Sequence, residues 1–503
     1  MNFDIVRKEI IYSIYKKFSQ YLASDDQNLQ LIDPFEKKVI GFHYGESHFS
    51  VSWIIFGSIF KDIQMFNSGV KLLKGFVGHI SDYQKEKEYH WDFNNIAFCT
   101  LIEFLENNPN VSIGITIEDL KNLVLRQSDS VHGTINWMPM RAYTNYCKHA
   151  WTKKEAYREK AESYLENIDK AAYNDGFFED FLPKGKSFNF QYHIYTTAML
   201  DFLSRRYENV KKPNLAIECC EKMLDSDGDI NYLGRGNNQI FAWGPALYIF
   251  YENKIESALS KATEYFYNSI NYAIENMNLI MSDLAGEDRN WWWDYHYASV
   301  YFGHLSYWLT LTYIDAPELM DVETNSIHCA DSGVHFYNGA NEFVCIFDGR
   351  KHYLAEKGPI IANIGFKDLG TVFKGPLGPC GGQFGNKYSN HLSTIINYFG
   401  PIEKISVFGY CAIKNIFPKA INVHMNDSKI CIDYDLGKYY KNIFFSLPIH
   451  CDKSSIDLKV LFDGKNMDAK SVGCYVGPYG RTERYETRIA GSRQIQIEIS
   501  RRL

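Results

Sequence analysis

The chain has 503 residues and a formal net charge of −7, and 46% of its residues are hydrophobic, 22% charged and 16% aromatic. One hydrophobic core rarely grows to this size, so the length predicts a multidomain protein. The composition excludes disorder over most of the chain, and the acidic balance excludes a nucleic-acid binder with a basic overall surface.

The N-terminal segment has apolar residues at helical spacing, interrupted by charges, which predicts an amphipathic first helix over Phe3–Leu22. It lacks the continuous apolar stretch and the cleavage site of a secretory signal. The longest apolar run, VSWIIFGSIF, is too short to span a bilayer. Eleven cysteines without CxxC spacing favour reduced thiols over a disulfide framework. We therefore predict a cytoplasmic protein without a membrane span.

Helical periodicity continues to about residue 320, with turn residues between the periodic segments. The predicted helices after the first are Val51–Phe66, Phe93–Leu105, Ile117–Leu125, Met138–Tyr146, Lys154–Ala172, Thr196–Arg206, Leu215–Leu224, Lys254–Met281 and Tyr297–Tyr313. No strict repeat is present, which disfavours a solenoid of fixed period. We predict an (α/α) toroid of helical hairpins over residues 1–322, with inner helix ends and loops lining a central cleft.

The pattern changes after Asp315-Ala316-Pro317. Short runs of period two, such as VHFYNG and EFVCIFDG, end in Asn-Gly, Asp-Gly or Lys-Gly, which are hairpin signals. We predict an antiparallel β-sandwich over residues 323–503, so the fold class is multidomain α+β. The Gly-rich stretch Gly375–Asn386 is not followed by Gly-Lys-Ser/Thr, so it is not a phosphate-binding loop.

The segment QYHIY is the first candidate for chemistry, because it places His193 and Tyr195 just before the predicted helix Thr196–Arg206. Histidine can act as a base near neutral pH. Tyrosine is a neutral acid at that pH, and a nearby arginine makes its phenolate accessible. The alternative is a histidine packed under aromatic side chains in the core.

A second candidate is the loop YLGRGNNQ. Two glycines flank Arg235 and let the backbone turn tightly, so the guanidinium projects from the loop. The guanidinium fork matches a carboxylate. The amides of Asn237, Asn238 and Gln239 add neutral donors. The alternative is a structural loop whose arginine pairs with an internal acid.

Two further polar segments open helices. In HGTINWM, Asn136 can donate to a carboxylate oxygen and Trp137 can stack on a sugar ring. In NWWWDYHY, three consecutive tryptophans cannot all face one side of a helix, so some, such as Trp292, should line a cleft; His296 is a competing base that Asp294 can orient. For HGTINWM, the alternative is a segment that caps the helix and carries a buried tryptophan.

Two other segments are weaker candidates. YHWDFNN, residues 89–95, places polar groups at a helix start and is a candidate for the cleft wall. GFHYGESH carries His43, Glu46 and His48, but their spacing is not that of a standard metal site. We predict no metal.

Three segments carry a resemblance to a known group of enzymes: DGFFEDF…YHIYTTAML, YLGRG, and the pair Asn136-Trp137. They resemble the (α/α)-toroid polysaccharide lyases, which include hyaluronate and chondroitin lyases, alginate lyases and heparinase II/III-like proteins. In those enzymes a short DG-containing turn leads to the catalytic tyrosine, an arginine loop follows, and an aromatic patch lies on a helix. The order of helices and sheets matches too. Two features depart: the histidine lies further upstream in the chondroitin and hyaluronate lyases, and they usually carry a secretion signal.

The resemblance implies β-elimination at a uronic acid of an acidic poly- or oligosaccharide, without a cofactor. The substrate carboxylate is neutralised, the proton alpha to it is removed, and the leaving glycosidic oxygen is protonated. Tyr195 would be the acid, and also a candidate base, and His193 would be or assist the base. The carboxylate would be neutralised by Arg235 and Asn136, supported by Asn238 or Gln191. Trp137 and Trp292 would be sugar platforms.

Two other functions fit the same sequence. A helical-barrel glycoside hydrolase needs two carboxyl groups, and Asp175, Glu179, Asp180 and Asp294 are available. A glycan-binding or assembly protein would keep the cleft without turnover.

Overall fold

The computed structural model describes residues 1–25, 28–85, 89–130, 132–184, 189–234, 236–281, 297–315, 317, 331–348, 360–377, 405–407, 410–412, 418–426, 428–449, 455–468, 470–477 and 479–502. Up to residue 315 they are predominantly helical, and from residue 331 they form β-strands.

Twelve α-helices lie among the described residues. They are α1 (Phe3–Phe18), α2 (Gly45–Phe60), α3 (Ile63–Tyr83), α4 (Trp91–Asn107), α5 (Ile117–Arg126), α6 (Met138–Thr152), α7 (Glu155–Ala171), α8 (Phe190–Ser204), α9 (Asn214–Lys222), α10 (Trp243–Glu252), α11 (Glu256–Asn276) and α12 (Ala298–Leu311). Short 3₁₀ turns cover Ser19–Tyr21, Ile135–Trp137 and Ile240–Ala242. A small hairpin, β1 (Leu22–Asp25) and β2 (Asn28–Leu31), follows α1.

The even-numbered helices form a closed inner ring. Each of α2, α4, α6, α8 and α10 contacts the next, and α12 contacts both α10 and α2. The odd-numbered helices form the outer layer; α3 packs on α2, α7 on α6, and α1 on α11 and α12. Every residue of α12 is buried, whereas α7 buries only Ala161, Ile168 and Ala171. The ring is the helical toroid that the sequence predicts.

Side-chain caps fix several helix starts. The carboxylate of Asp62 accepts from the backbone N–H of Met65 at 2.9 Å and begins α3, because the first backbone N–H groups of a helix have no partner within it. Lys61, just before it, has a left-handed φ of 56° and ends α2. The segment Val51–Phe66, predicted as one helix, is therefore divided between two.

The C-terminal part contains antiparallel sheets. Its strands are β3 (Val334–Asn338), β4 (Glu342–Phe347), β5 (Ile360–Phe366), β6 (Gly370–Leu377), β7 (Ile405–Val407), β8 (Tyr410–Ala412), β9 (Ala420–Asn426), β10 (Lys429–Ile449), β11 (Ile456–Phe462), β12 (Lys465–Met467), β13 (Lys470–Gly477) and β14 (Gly480–Arg501). One sheet has the order β3-β4-β5-β6. A second has the order β12-β11-β14-β10-β9 with β13 on β14, and β7 pairs with β8.

Both large sheets contribute to one apolar core. Val344 and Ile364 from the first sheet belong to the same buried cluster as Ile432 and Ile497 from the second. A sandwich requires such a core, but the sandwich itself stays a prediction, as does the domain boundary at 322/323. The helical core also extends into this part, because Phe343 clusters with the buried helical residues.

Membrane spans and disulfides were both predicted to be absent. Within the described residues, no helix is both long enough and apolar enough to cross a membrane. Six cysteines, five of them buried, are free thiols among the side chains that the structure describes.

Candidate functional site

A small cavity of about 50 Å³ lies where the six inner helices begin. Its described wall consists of Tyr44, His90, Phe93, Asn136, Trp137, Gln191, Tyr192, Phe241 and Tyr301. Each of these residues belongs to the first turn of an inner helix or to the cap or 3₁₀ turn that precedes it. All six inner helices therefore direct their N-terminal ends toward this cavity, and helix N-termini carry partial positive charge and free N–H groups.

One side of the wall is a stack of aromatic rings. The ring of His90 lies 4.0 Å from that of His43 and 5.2 Å from that of Trp137, centroid to centroid. The ring of His132 lies 4.3 Å from that of Trp137 and 6.3 Å from that of His90. Burial, together with the neighbouring His90, holds the pKa of His43 well below its usual value, so His43 is a neutral partner for His90.

Hydrogen bonds to backbone carbonyls keep the two histidine segments together. The amide of Asn94 donates to the carbonyl of His43 at 3.2 Å and to that of His90 at 2.9 Å. The backbone N–H of His90 donates to the carbonyl of Phe42 at 2.9 Å. The start of α4 and the loop before α2 therefore form one rigid piece of the wall.

A buried ion pair supports the stack from behind. The Nε of Arg141 lies 2.8 Å from Asp92, and both side chains are at most 5% exposed. The same guanidinium donates to the Ser130 hydroxyl at 3.0 Å and to the His132 carbonyl at 2.7 Å. Burial raises the pKa of Asp92 to about 6, against the opposing effect of Arg141. The pair thereby fixes the loop that carries His132 beside Trp137.

Two side-chain amides on the cavity wall come from segments that are far apart in sequence. Asn136 and Gln191 both line the cavity although they are 3% and 1% exposed. The Oδ1 atom of Asn136 and the Oε1 atom of Gln191 have no hydrogen-bond partner among the described residues. Buried amide oxygens rarely remain unsatisfied, and an amide oxygen only accepts, so these two atoms are suited to bind a hydrogen-bond donor such as a sugar hydroxyl.

Of the residues predicted from the sequence, the structure brings three together on this wall: Asn136, Trp137 and Gln191. Asn238 is not on the described wall; its backbone N–H donates to Asn231 at 2.7 Å and its carbonyl accepts from Met281 at 2.9 Å. Arg235, Trp292, His296 and Asp294 lie outside the described residues.

His193 lies inside α8 rather than before it. The helix begins at Phe190, six residues earlier than predicted, because the side chain of Asn189 accepts from the N–H of Gln191 at 3.1 Å. His193 is 1% exposed, and its Nδ1 accepts from the backbone N–H of Phe178 at 3.4 Å. Burial lowers its pKa to about 3. The structure thus gives His193 the packed position that was the alternative to a catalytic one.

Tyr195 is also enclosed within the helix bundle. Its side chain is fully buried, with ring centroids 5.5 Å from Phe93 and 5.3 Å from Phe241. It therefore lies one layer beneath the wall, and burial raises the pKa of its hydroxyl well above the usual value. Its hydroxyl has no hydrogen-bond partner in the described part of the chain. In this arrangement Tyr195 does not contact the cavity, contrary to the expectation from the sequence.

The carboxylates considered for a hydrolase do not lie on the described wall. Two of those that the structure describes form hydrogen bonds to other residues. Asp175 accepts from the backbone N–H and the hydroxyl of Ser332 at 2.8 and 2.7 Å. Glu179 accepts from the hydroxyl of Tyr173 at 2.5 Å. Asp180 is 2% exposed and is not on the described wall.

The residues of GFHYGESH do not converge on a common point. The carboxylate of Glu46 accepts from the N–H of Leu31 at 2.8 Å, and the Nε2 of His48 lies 3.2 Å from the carbonyl of Phe93. Among the described residues, no cluster of three His, Cys, Asp or Glu side chains is arranged to hold a metal ion.

The sequence analysis pointed to one further segment of the wall and missed other wall residues. His90 and Phe93 fall in the segment 89–95 that was predicted as cleft wall, and Tyr44 adjoins His43. Phe241 and Tyr301 were not singled out. The signal that connects them is positional: each stands at the start of a helix of the inner ring.

Comparisons with known proteins return structures but no relatives in sequence. No protein-family model matches the chain, and no curated protein matches it. Solved structures similar to it include a polysaccharide lyase at 13% identity, covering 61% of this chain and 98% of that one with a TM-score of 0.40. An α-1,6-mannanase of glycoside hydrolase family 76 from Salegentibacter sp. HEL1_6 has 10% identity, 61% and 100% coverage, and a TM-score of 0.40. A family 88 glycosyl hydrolase from Bacteroides vulgatus has 11% identity, 61% and 99% coverage, and a TM-score of 0.37.

Proposed function

We propose that this protein is a carbohydrate-active enzyme that cleaves a uronic-acid-containing oligo- or polysaccharide by β-elimination in the cavity at the start of the inner helices. The observation that carries the proposal is the convergence of six helix N-termini on one wall, which also carries two side-chain amides. Helix N-termini favour a bound anion, and a carboxylate is the anion of a uronic acid. A cytoplasmic location, as expected from the sequence, remains part of this proposal.

The substrate carboxylate would lie against the NH₂ ends of the Asn136 and Gln191 amides, and the unpaired amide oxygens would accept from sugar hydroxyls. β-Elimination requires removal of a weakly acidic proton alpha to that carboxylate, so donors must meet the negative charge as it develops. The two amides come from the starts of α6 and α8 and are held by the 3₁₀ turn and by the Asn189 cap. Arg235, two residues beyond Leu233 in the neighbouring loop, keeps its predicted role in neutralising the same carboxylate.

His90 is the base in this proposal, in place of His193. Its ring is on the cavity wall between His43 and Trp137, and a neutral imidazole can accept a proton near neutral pH. The proton for the leaving glycosidic oxygen would come from a phenol of the wall, Tyr44 or Tyr301. Trp137 would stack on a sugar ring.

Hydrolysis is the competing reaction. Glycoside hydrolases use two carboxyl groups that flank the scissile bond. Along the described part of the cavity wall there is no Asp or Glu, and the wall offers imidazole, phenol and amide groups instead. This set suits proton abstraction next to a neutralised carboxylate better than it suits hydrolysis.

The deciding experiment incubates the protein with a panel of uronate-containing glycans and follows the ultraviolet absorbance of a new C4–C5 double bond. A rising signal that disappears in His90→Gln establishes elimination at this cavity. The matched control is His424→Gln, because His424 lies on β9 with a side chain 74% exposed. New reducing ends without the absorbance would establish hydrolysis, and binding without either product would establish a glycan-binding protein.

A further inference from the structure

The helical ring and the first sheet meet at a buried cluster of charges. The ammonium group of Lys374, on β6, lies 2.7 Å from Asp225, 3.2 Å from Asp229 and 3.4 Å from Asp227. Lys374 is 6% exposed, and Asp225 and Asp229 are fully buried. Asn363 on β5 adds a bond to Asp225 at 2.7 Å. Buried charges of this kind need partners, so the sheet and the loop after α9 depend on each other.

The aspartates are themselves bound to the backbone of their loop. One oxygen of Asp225 accepts from the N–H groups of Asp227, Gly228 and Asp229, each at 2.9 Å. One oxygen of Asp229 accepts from the N–H groups of Ile230 and Asn231, at 2.7 and 3.0 Å. The opposite oxygen of each carboxylate faces Lys374. The two carboxylates therefore link the Lys374 ammonium group to the backbone of residues 225–231.

A second contact from the β part reaches the next stretch of the loop. The hydroxyl of Tyr479 donates to the carbonyl of Asn231 at 2.7 Å. That carbonyl also accepts from the N–H of Asn238 at 2.7 Å, and the Asn231 amide donates to the carbonyl of Gly236 at 2.7 Å. Asn231 thus closes the loop that contains Arg235, and Tyr479 holds Asn231.

The loop packs directly on the cavity. Gly236 has a φ of 75°, and a Cβ there would clash with the side-chain amide of Gln191. A Cβ on Gly234 would lie 2.9 Å from the Cα of Asn189, which caps α8. The loop backbone therefore lies directly against both the wall amide of Gln191 and the residue that caps α8. A shift of the loop toward α8 would displace the Gln191 side chain.

We propose that the β part of the chain positions the cavity, and that Lys374 and Tyr479 are the positioning residues that hold the loop of residues 231–239 against Gln191. In this proposal the sheets position a loop of the site and do not form an independent domain beside it. The proposal about positioning stands on these contacts alone; its consequence for turnover rests on the proposed function.

The test measures amide hydrogen exchange of the full-length protein by mass spectrometry, without any substrate. In Tyr479→Phe, one hydrogen bond to Asn231 is lost, so peptides covering residues 231–239 should exchange about three- to tenfold faster, the opening expected for one hydrogen bond. Tyr485→Phe is the matched control, because Tyr485 lies on β14, which begins directly after Tyr479, and bonds Glu483 within the sheet. Exchange in α4 should stay unchanged in both variants.

Lys374→Met is the stronger perturbation and should accelerate exchange over residues 225–239. Lys367→Met is its control, because the Lys367 ammonium bonds only the Ala340 carbonyl, within the first sheet, among the contacts described. Wild-type exchange of the loop in Tyr479→Phe overturns the proposal, as does equal acceleration throughout the chain, which would show general destabilisation. The result does not depend on the reaction. If elimination is confirmed, Tyr479→Phe should lower kcat more than Tyr485→Phe does.

Discussion

The amide of Asn136 is the residue on which the proposed chemistry depends most directly. Asn136→Asp keeps the size of the side chain but places a negative charge against the substrate carboxylate. We expect kcat/KM to fall by about 10²–10³-fold, the usual cost of losing one donor to a developing oxyanion. The rate of double-bond absorbance measures it.

The control for this change is Asn122→Asp, because Asn122 lies on α5, away from the described wall, and its amide bonds Glu118 at the surface. It should leave the rate within about twofold of wild type, as expected for surface substitutions. A wild-type rate in Asn136→Asp would show that Asn136 does not bind the substrate carboxylate.

Burial of His193 predicts a pH dependence of stability. Its pKa in the folded protein is about 3, below the unfolded value near 6.5. The unfolded chain therefore binds more protons between these values, so the free energy of unfolding falls as pH decreases through this window. From pH 7 to pH 5 this residue alone should cost about 2 kcal/mol.

Urea unfolding at both pH values tests this dependence. His193→Gln should lose that part of the slope, whereas His424→Gln, at the exposed site on β9, should keep the wild-type slope. Equal slopes in wild type and His193→Gln would contradict the buried, neutral state of His193.

At the scale of elements, the ion pair between Arg141 on α6 and Asp92 on α4 joins two helices of the inner ring. Arg141→Met would leave Asp92 buried without its partner, which typically costs about 3–5 kcal/mol. Arg158→Met is the matched change at an exposed pair, with Glu155, and should cost at most about 1 kcal/mol.

Denaturant midpoints at constant m-value report both changes. Asp92→Leu combined with Arg141→Met should recover much of the loss, because a buried pair can often be replaced by apolar residues. Equal losses at Arg141 and Arg158 would show that the buried pair does not hold the two helices.

Periodicity predicted most of the helices, but it missed α10 and all of α3 beyond Phe66, and it did not fix the helix starts. The bounds of α5 and α7 come within one residue of those expected, because their apolar residues recur cleanly and Thr116 caps α5. In α8, the polar residues Gln191, His193 and Thr196 conceal the periodicity, and the helix is capped by Asn189, seven residues before Thr196. Because the cap, Asn189, lies four residues before His193, His193 is inside the helix and not in the loop that was expected there. Since burial is set by neighbouring helices, the sequence around His193 could not reveal it.

The described cavity wall coincides with the predicted segments more than with the predicted side chains. Polar residues beside Trp137 and Gln191 marked two parts of the wall because helix starts concentrate polar groups. Phe241 and Tyr301 carry no such local signal. They become part of the wall only because α12 contacts α2 and closes the ring, a property of the whole chain rather than of any short segment.

For the whole molecule, the local and the global electrostatics have opposite signs. The helix N-termini around the cavity favour an anion, whereas the net charge of −7 repels one at a distance. An acidic substrate must therefore approach against the overall field and is attracted only near the wall. Salt screens the long-range repulsion more than the short-range contacts, because the Debye length falls from about 30 Å at 0.01 M to about 8 Å at 0.15 M.

This opposition predicts an unusual salt dependence. For a uronate trisaccharide with three carboxylates, kcat/KM should rise by about three- to fivefold between 0.01 M and 0.15 M salt, as Coulomb repulsion from the net charge is screened. Proteins with basic substrate grooves show the reverse, because salt weakens their attraction. Initial rates at low substrate, measured with the trisaccharide and its methyl ester as the uncharged control, separate the two. The ester should show almost no salt dependence. A fall of kcat/KM with salt for the acid alone would mean that a local positive field governs association, and the net charge would then have no part in selecting the substrate.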